Sequence, residues 1–445
     1  MPDQFDSIRS RRDLLILGAA AAVGGSAGAL ATFVADRALW DSKQRLEATG
    51  LQPSEVSHER LSASIFVHDY SDGSGSAAND ERAITQAFAA AARSSWSKPV
   101  VFTRSFKVLA EHEVPFGAAI EGIQENTALQ PQTAMRCVFC VTGGNVTIRN
   151  LTCAYQRYLS TGLLPCDFIR VDKPWDNYAV RLEKLSAIYT RNIIRWIDGD
   201  VPQIDGIWGV NNIRALHFEN NGMNGHIGNI FQLGGGGLYL GRNTAAARPQ
   251  QMEGTTFSSL RFLPADVGPD GAASVLGLEM HAGLALRFYD LLIDSAHHGG
   301  AYVDATQYPI DDIEFYGLWL GGGGAAGTSG LTAAGAATRI HVYGGKIVAF
   351  PRWGVIFDKA GRFLLDGIEM KLNGTKGIAD GGDLLSIGSN GTVRSCDFNS
   401  TTRTVSETDG SLIYGDDNYF TASAIPPSVT SAANWQRSSG PGTPR

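Results

Sequence analysis

Nine stretches of this 445-residue chain repeat one strand signature, with apolar residues alternating with polar ones over about ten positions. They are NVTIRNLTCAY from Asn145, AVRLEKLSAIY from Ala179, NNIRALHFENN from Asn211, GTTFSSLRFLP from Gly254 and LALRFYDLLID from Leu284. PIDDIEFYGLWL from Pro309, ATRIHVYGGKI from Ala337, GRFLLDGIEMKL from Gly361 and NGTVRSCDFNS from Asn390 complete the set. Successive starts are 34, 32, 43, 30, 25, 28, 24 and 29 residues apart. A unit of that length holds three short strands and their turns, and it cannot bury its own apolar residues. Stacking the units does so, with neighbouring strands about 4.8 Å apart and the inward residues piled into one continuous core.

The spacing therefore predicts a coiled solenoid of parallel strands. The 53 glycines, well above the usual share of about 7%, supply corners that need positive φ or tight bends. They follow no Gly-x-x period, which excludes collagen. A propeller would need a regular blade of about 40–50 residues, longer and more even than these gaps. An elongated repeat also escapes the size limit of a single compact core.

The region before the repeats points the same way. SDGSGSAAND is rich in turn formers, Asn79 is a fair helix N-cap, and Asp80 and Glu81 suit the positive end of a helix. Ile84, Phe88 and Ala91 form an apolar stripe running to about Ser94. The order Asp69, Asp72-Gly73, Asn79-Asp80, Ala83-Ile84-Thr85-Gln86 and Ala87 resembles the entry region of the pectate-lyase-like superfamily, which includes polygalacturonases and tailspike depolymerases. The resemblance implies an all-β fold, a single-stranded right-handed parallel β-helix with an N-terminal capping helix, over residues 61–420. It implies a polysaccharide partner in a groove over one sheet, and either a monomer, as in related lyases, or a homotrimer, as in related tailspikes. The helix seals the end of the core and carries no chemistry.

At the N-terminus, Ser10-Arg11-Arg12 precedes 21 uncharged residues from Leu14 to Val34. This resembles a twin-arginine export signal, with Ile16 standing where a lysine is common. Cleavage is expected after Ala31 or Ala35, giving a signal over 1–35 and a periplasmic or secreted protein. The alternative is an uncleaved anchor, since 21 residues can cross a bilayer. Residues 36–60 read as a linker, and the Pro, Ser and Gly of 421–445 as a tail. The five cysteines, Cys137, Cys140, Cys153, Cys166 and Cys396, leave at least one unpaired. Cys137 and Cys140 form a lone CxxC with no zinc partner nearby, and burial as small apolar residues suits most of the five better. No cofactor is expected; metal use, calcium included, is left open, and no Asp cluster clearly spells a calcium site. The net charge of −7, without a basic stripe, argues against nucleic acid.

Candidate chemistry comes from the strands after the repeats. Asn224-Gly225-His226-Ile227-Gly228 loosely resembles the Gly-His-Gly element of polygalacturonases, and His297-His298 stands where that family has an acidic pair. Its Asn-Thr-Asp and Arg-Ile-Lys are absent, so its mechanism does not transfer. Period-two alternation that buries Ala301 and Val303 turns His298, Gly300, Tyr302 and Asp304 outward, with Gly300 as an open floor. The same phase buries Val355 and Phe357 and exposes Arg352 and Asp358. In HIGNIFQL it buries Phe231 and Leu233 and exposes His226 and Gln232. One groove lined by His226, His298, Tyr302, Asp304, Arg352 and Lys376 is expected, with His297 at its edge. Trp196, Trp208 and Trp353 read as packing or rim residues.

Two mechanisms fit that set. A hydrolase would pair Asp304 with a second carboxylate, for which Asp198, Asp200 and Asp205 are candidates. An eliminase would use His298 or His226 as base and Arg352 or Lys376 to clamp a uronate, with Tyr302 stacking on the sugar. The expected function is an exported lyase or endo-glycoside hydrolase acting on an acidic extracellular glycan. The alternative is a non-catalytic β-helix that binds glycan or builds an envelope.

Overall fold

The computed structural model describes residues 64–420, apart from 124–126, 156–164, 174–177, 221, 243–249, 265–275, 324–326, 375–380 and 400–402. The expected signal or anchor, the linker and the tail lie outside these residues, as does Lys376.

The described chain is a right-handed parallel β-helix, and every pairing between its strands is parallel. Each coil crosses three sheets in turn. In the strand Ala301–Gly322, residues 301–305 lie in the third sheet, 310–316 in the first and 318–321 in the second. The next long strand, Leu331–Val348, repeats that path one coil on.

Stacking aligns like residues. One inward column of the first sheet runs Ile120, Ile148, Leu182, Ile204, Ile227, Phe257, Phe288, Phe315, Val342, Leu365 and Val393. All are buried. Phe257 stacks on Phe288 at 4.5 Å and Phe288 on Phe315 at 4.9 Å between ring centres. Alternation turns the residues between such columns outward, which is how the sequence places side chains on each face.

The start of the core is sealed by α1, Ala77–Arg93. Its buried face is Ala83, Ile84, Ala87, Phe88 and Ala91, with Phe88 against Trp96, His112 and Phe139. The N-cap is Ser76, whose side chain accepts from the Asn79 backbone N–H, three positions before the expected cap. Asn79 and Asp80 are instead buried inside the first turn. Asp80 accepts from Arg104 and from the Lys107 backbone N–H, tying the helix to the chain entering the coils.

Three sequence expectations change. A coil was missed: Val180 pairs with Pro202, and Gln203 with His226. Pro202–Asp205 has a single large apolar inward residue, Ile204, before the bend at Gly206, so it leaves little alternating signal. The stretch from Asn211 turns a corner and continues into the third sheet rather than opening a coil.

The phase of HIGNIFQL is also reversed beyond Asn229, whose φ of 54° inserts a bend. Ile227 and Ile230 face inward, Phe231 and Leu233 are half-buried on the outer face, and Gln232 is buried. Gln232 donates to the backbone oxygen of Asn212, and the Asn212 amide donates to its Oε1 at 3.0 Å, so the buried amides satisfy each other.

Finally, Gly300 is no open floor. It sits in a corner column with Gly237, Gly277, Gly330 and Gly354. A Cβ on Gly300 would lie 2.7 Å from the Gly330 carbonyl oxygen and 3.2 Å from Leu320. This column lets the incoming strand pass over inward side chains of the second sheet.

Candidate acid–base site on the third sheet

The third sheet carries an outward column rich in charged and aromatic residues. In register, Cys140, Arg170, Arg195, His217, Tyr239, Glu279, Tyr302 and Thr332 follow one another, one per coil. The inward neighbours Val171, Trp196, Phe218, Leu240, Met280 and Val303 are buried, so the backbone under the column is pinned by packing. Two residues further on, Glu219 and His281, each just past the end of its strand, and Asp304 add a second outward row.

Two histidines in these rows are each held by a carboxylate. His217 Nε2 lies 3.2 Å from Glu219 Oε1, and the same oxygen accepts Arg195 Nε at 2.9 Å. His281 Nε2 lies 2.9 Å from Glu279 Oε1, and its Nδ1 lies 3.4 Å from Asp304 Oδ2. Tyr239 separates the two, its ring centre 4.4 Å from that of His217 and 5.6 Å from that of His281. Arg214 lies over the Tyr239 ring at 4.4 Å and pairs with Glu279 at 2.7 Å. Tyr302 meets His281 edge-on at 6.3 Å.

The environments push the two imidazoles apart. Burial lowers His217, and the Arg214 and Arg195 charges add to this against the opposing pull of Glu219. His281 is raised by its hydrogen bond to Glu279, with help from the Asp304 charge and against partial burial. Burial alone would raise the Glu219 carboxyl, but His217 and Arg195 outweigh it and hold the group at about 2. Glu279 is likewise lowered, because His281 and Arg214 overcome its burial. Burial raises the Tyr239 phenol, with Glu279 adding to it. Tyr302 is raised by burial and by the carboxylates of Asp304, Glu279 and Asp358.

Of the residues singled out from sequence, the structure brings Tyr302 and Asp304 into this cluster. Asp304 also accepts from Thr306, through the backbone N–H at 3.0 Å and the hydroxyl at 2.6 Å. His226 is exposed and lies in the first sheet between Gln203 and Thr256, so it does not share their face. His298 is half-buried ahead of the Gly299–Gly300 corner, not in the strand that begins at Ala301. His297 packs toward Gly323, whose added Cβ would lie 2.8 Å from its ring. Arg352 is half-buried just before the strand Trp353–Asp358; Val355 and Phe357 face inward as expected, and Asp358 is half-buried. Trp196 and Trp353 are fully buried.

Sequence reasoning missed His217, Glu219, Tyr239, Glu279 and His281. The available signal was the x-His-x-Glu of "LHFEN" and the x-Glu-x-His of "LEMHA", polar pairs at period two framed by apolar residues. Among the described residues, no group of three or more His, Cys, Asp or Glu has the geometry to hold a metal ion. All five cysteines are free thiols.

The fold and this row define a parallel β-helix with a charged and aromatic track along one sheet. Among solved structures, it is similar to the Dettilon tailspike protein gp208, at 11% identity and a TM-score of 0.54, covering 82% of this chain and 67% of that one. It is also similar to tailspike protein 3 of bacteriophage CBA120 (13% identity, TM-score 0.49, 93% and 72% covered). A third likeness is to the A-module of the Azotobacter vinelandii mannuronan C-5 epimerase AlgE6 (12% identity, TM-score 0.41, 81% and 99% covered). At these identities the likeness is one of fold. No protein-family model and no curated protein matches the chain.

Proposed function

We propose that this chain binds an extracellular polysaccharide along the third sheet and cleaves it at a uronate by β-elimination. One observation carries the reading: two carboxylate-held histidines flank Tyr239 at 4.4 and 5.6 Å on an outward row. Paired groups whose environments drive their proton affinities apart are the signature of an acid and its base. The likeness to the tailspike protein gp208 supports the parallel β-helix frame of this reading, without supplying any residue.

In this reading a sugar lies along the outer edge of Tyr239, whose ring face Arg214 covers. His217 donates its Nε2–H to Glu219, which leaves the Nδ1 lone pair as the basic site. Neutral at pH 7, it removes the proton beside the uronate carboxylate. The remaining Arg214 donors hold that carboxylate and stabilise the charge that develops there. His281, whose protonated form the hydrogen bond to Glu279 favours, gives its proton to the glycosidic oxygen as the carbon–oxygen bond breaks, leaving an unsaturated sugar end. Tyr302, one coil beyond Glu279, offers a stacking face for the next sugar.

Purified protein incubated with a panel of uronate-containing polymers tests this. Ultraviolet absorbance from unsaturated ends is the expected result, lost in His217→Ala and in His281→Ala. New reducing ends without that absorbance would replace elimination by hydrolysis between Glu279 and Asp304. Glycan retention with no product on any polymer would replace catalysis by binding. The reading includes export through the twin-arginine-like N-terminus. A reporter fused behind residues 1–35 should reach the periplasm, and Arg11→Lys with Arg12→Lys should keep it in the cytoplasm.

A further inference from the structure

Behind Arg195 lies a carboxylate that the acid–base pair does not touch. Asp167, which opens the strand Asp167–Asp172, is fully buried. Its Oδ1 accepts from Asn192 Nδ2 at 2.7 Å. Its Oδ2 has no hydrogen-bond partner among the described residues and lies 3.8 Å from Arg195 Nη1. Arg195 thus stands between two carboxylates, with Asp167 behind it and Glu219 in front, and Glu219 in turn holds His217. A buried carboxylate oxygen without a donor is destabilising unless a nearby charge offsets it. The groups facing Asp167 are Arg191, Arg195 and His217, with the Cys137 thiol one coil away. Those facing His217 are Glu219, Arg214, Arg195 and the Tyr239 ring.

We propose that Asp167 is a positioning residue for His217, acting through Arg195 and Glu219. Burial raises the Asp167 carboxyl, while Asn192, Arg191 and Arg195 pull it back down. In its charged form it balances the guanidinium from behind, so Arg195 orients Glu219 without cancelling the charge that Glu219 presents to the imidazole. The role rests on reading His217 as the base. The arrangement puts the compensating charge out of reach of water and of substrate, where a bound polymer cannot displace it.

The sign of the effect follows. Asp167→Asn keeps an acceptor for Asn192 but removes the negative charge. The Arg195 charge then acts uncompensated on Glu219 and His217, and the imidazolium becomes harder to form. The His217 protonation midpoint should move to lower pH by about half a unit.

Histidine-selective NMR titration of the full chain reads this directly, with the His217 signal assigned by its loss in His217→Ala. The expected result is a lower midpoint in Asp167→Asn and a smaller change in an Arg195→Gln background, where only the direct charge effect of Asp167 on His217 remains; a change equally large in that background overturns the relay through Arg195. An unchanged midpoint in folded Asp167→Asn overturns the proposal. Should that variant not fold, Asp167→Ser is read in the same way. The pH profile of kcat/KM on a cleaved polymer should show its acid limb displaced in the same direction. A displaced midpoint without any polymer cleavage sinks the lyase reading and leaves the coupling of Asp167 to His217 standing. Cleavage with an undisturbed midpoint does the reverse.

Discussion

Replacing Glu219 by Gln should cost stability in a way that depends on pH. The Glu219 carboxyl sits at about 2 in the folded chain, against the usual 4.5. That gap of about 2.5 pH units, at about 1.36 kcal/mol per unit, sets an upper bound of about 3.4 kcal/mol. The side chain keeps 20% of its exposure and faces water, so screening reduces this to about 1–2 kcal/mol. The folded value is depressed, so the contribution is fully present above the unfolded value near 4.5 and disappears as pH falls through about 2. By pH 3 about half or less should remain. Urea unfolding of parent and Glu219→Gln at pH 7 and pH 3 measures both points. The variant should be less stable by about 1–2 kcal/mol at pH 7, with the difference shrinking by about half or more at pH 3. A difference equal at the two pH values would show that Glu219 contributes packing rather than charge, and the carboxylate-held base would fall with it.

Glu279→Gln removes the largest influence raising His281, so that residue should lose its proton at lower pH. Under the proposed elimination, the alkaline limb of kcat/KM should move down while the acid limb, assigned there to His217, stays in place; movement of both limbs together would contradict the separate assignments. The raised His281 also contributes stability below its unfolded value near 6.5, which is lost as pH rises through the folded value. Unfolding scans across that window should show the loss in the parent and a weaker one in Glu279→Gln. Gly330→Ala tests the corner column, because the new Cβ would sit 2.5 Å from the Gly354 carbonyl oxygen and 2.7 Å from Ile347. Overpacking of that kind should cost about 1–3 kcal/mol, and a change in the urea midpoint within experimental error would show that the coils move apart freely.

The coiled fold was legible because stacking imposes a periodic demand. Val393, Leu365 and Val342 occupy equivalent places in successive coils, and the recurrence survives any change in the turns between them. The coil at Pro202 escaped notice because one inward residue, Ile204, met that demand for the whole first-sheet segment. Alternation also read correctly within unbroken strands, as at Val355 and Phe357, and failed where a corner or a bend resets the phase. Asn229 and Gly300 are two such points, and neither announces its backbone angle or inward direction in the letters alone.

The site was harder to read for a different reason. Its members are two residues apart within a coil but 20 or more apart between coils, and only register makes them neighbours. His217 and Tyr239 are 22 positions apart, yet they are paired Cα partners; Tyr239 and Glu279 are 40 apart and pair just as directly. The intervening chain between Tyr239 and Glu279 includes a full pass through the other two sheets, so no fixed spacing connects them. Tyr302 and Asp304 could be placed together on one outward face because they flank the buried Val303 in one unbroken strand, a local relation. His281, and His217 beyond Tyr239, come beside them only through the stack. In a solenoid, then, the inward columns are written along the chain, whereas an outward site is written across it, and its residues become recognisable once each coil's register is known.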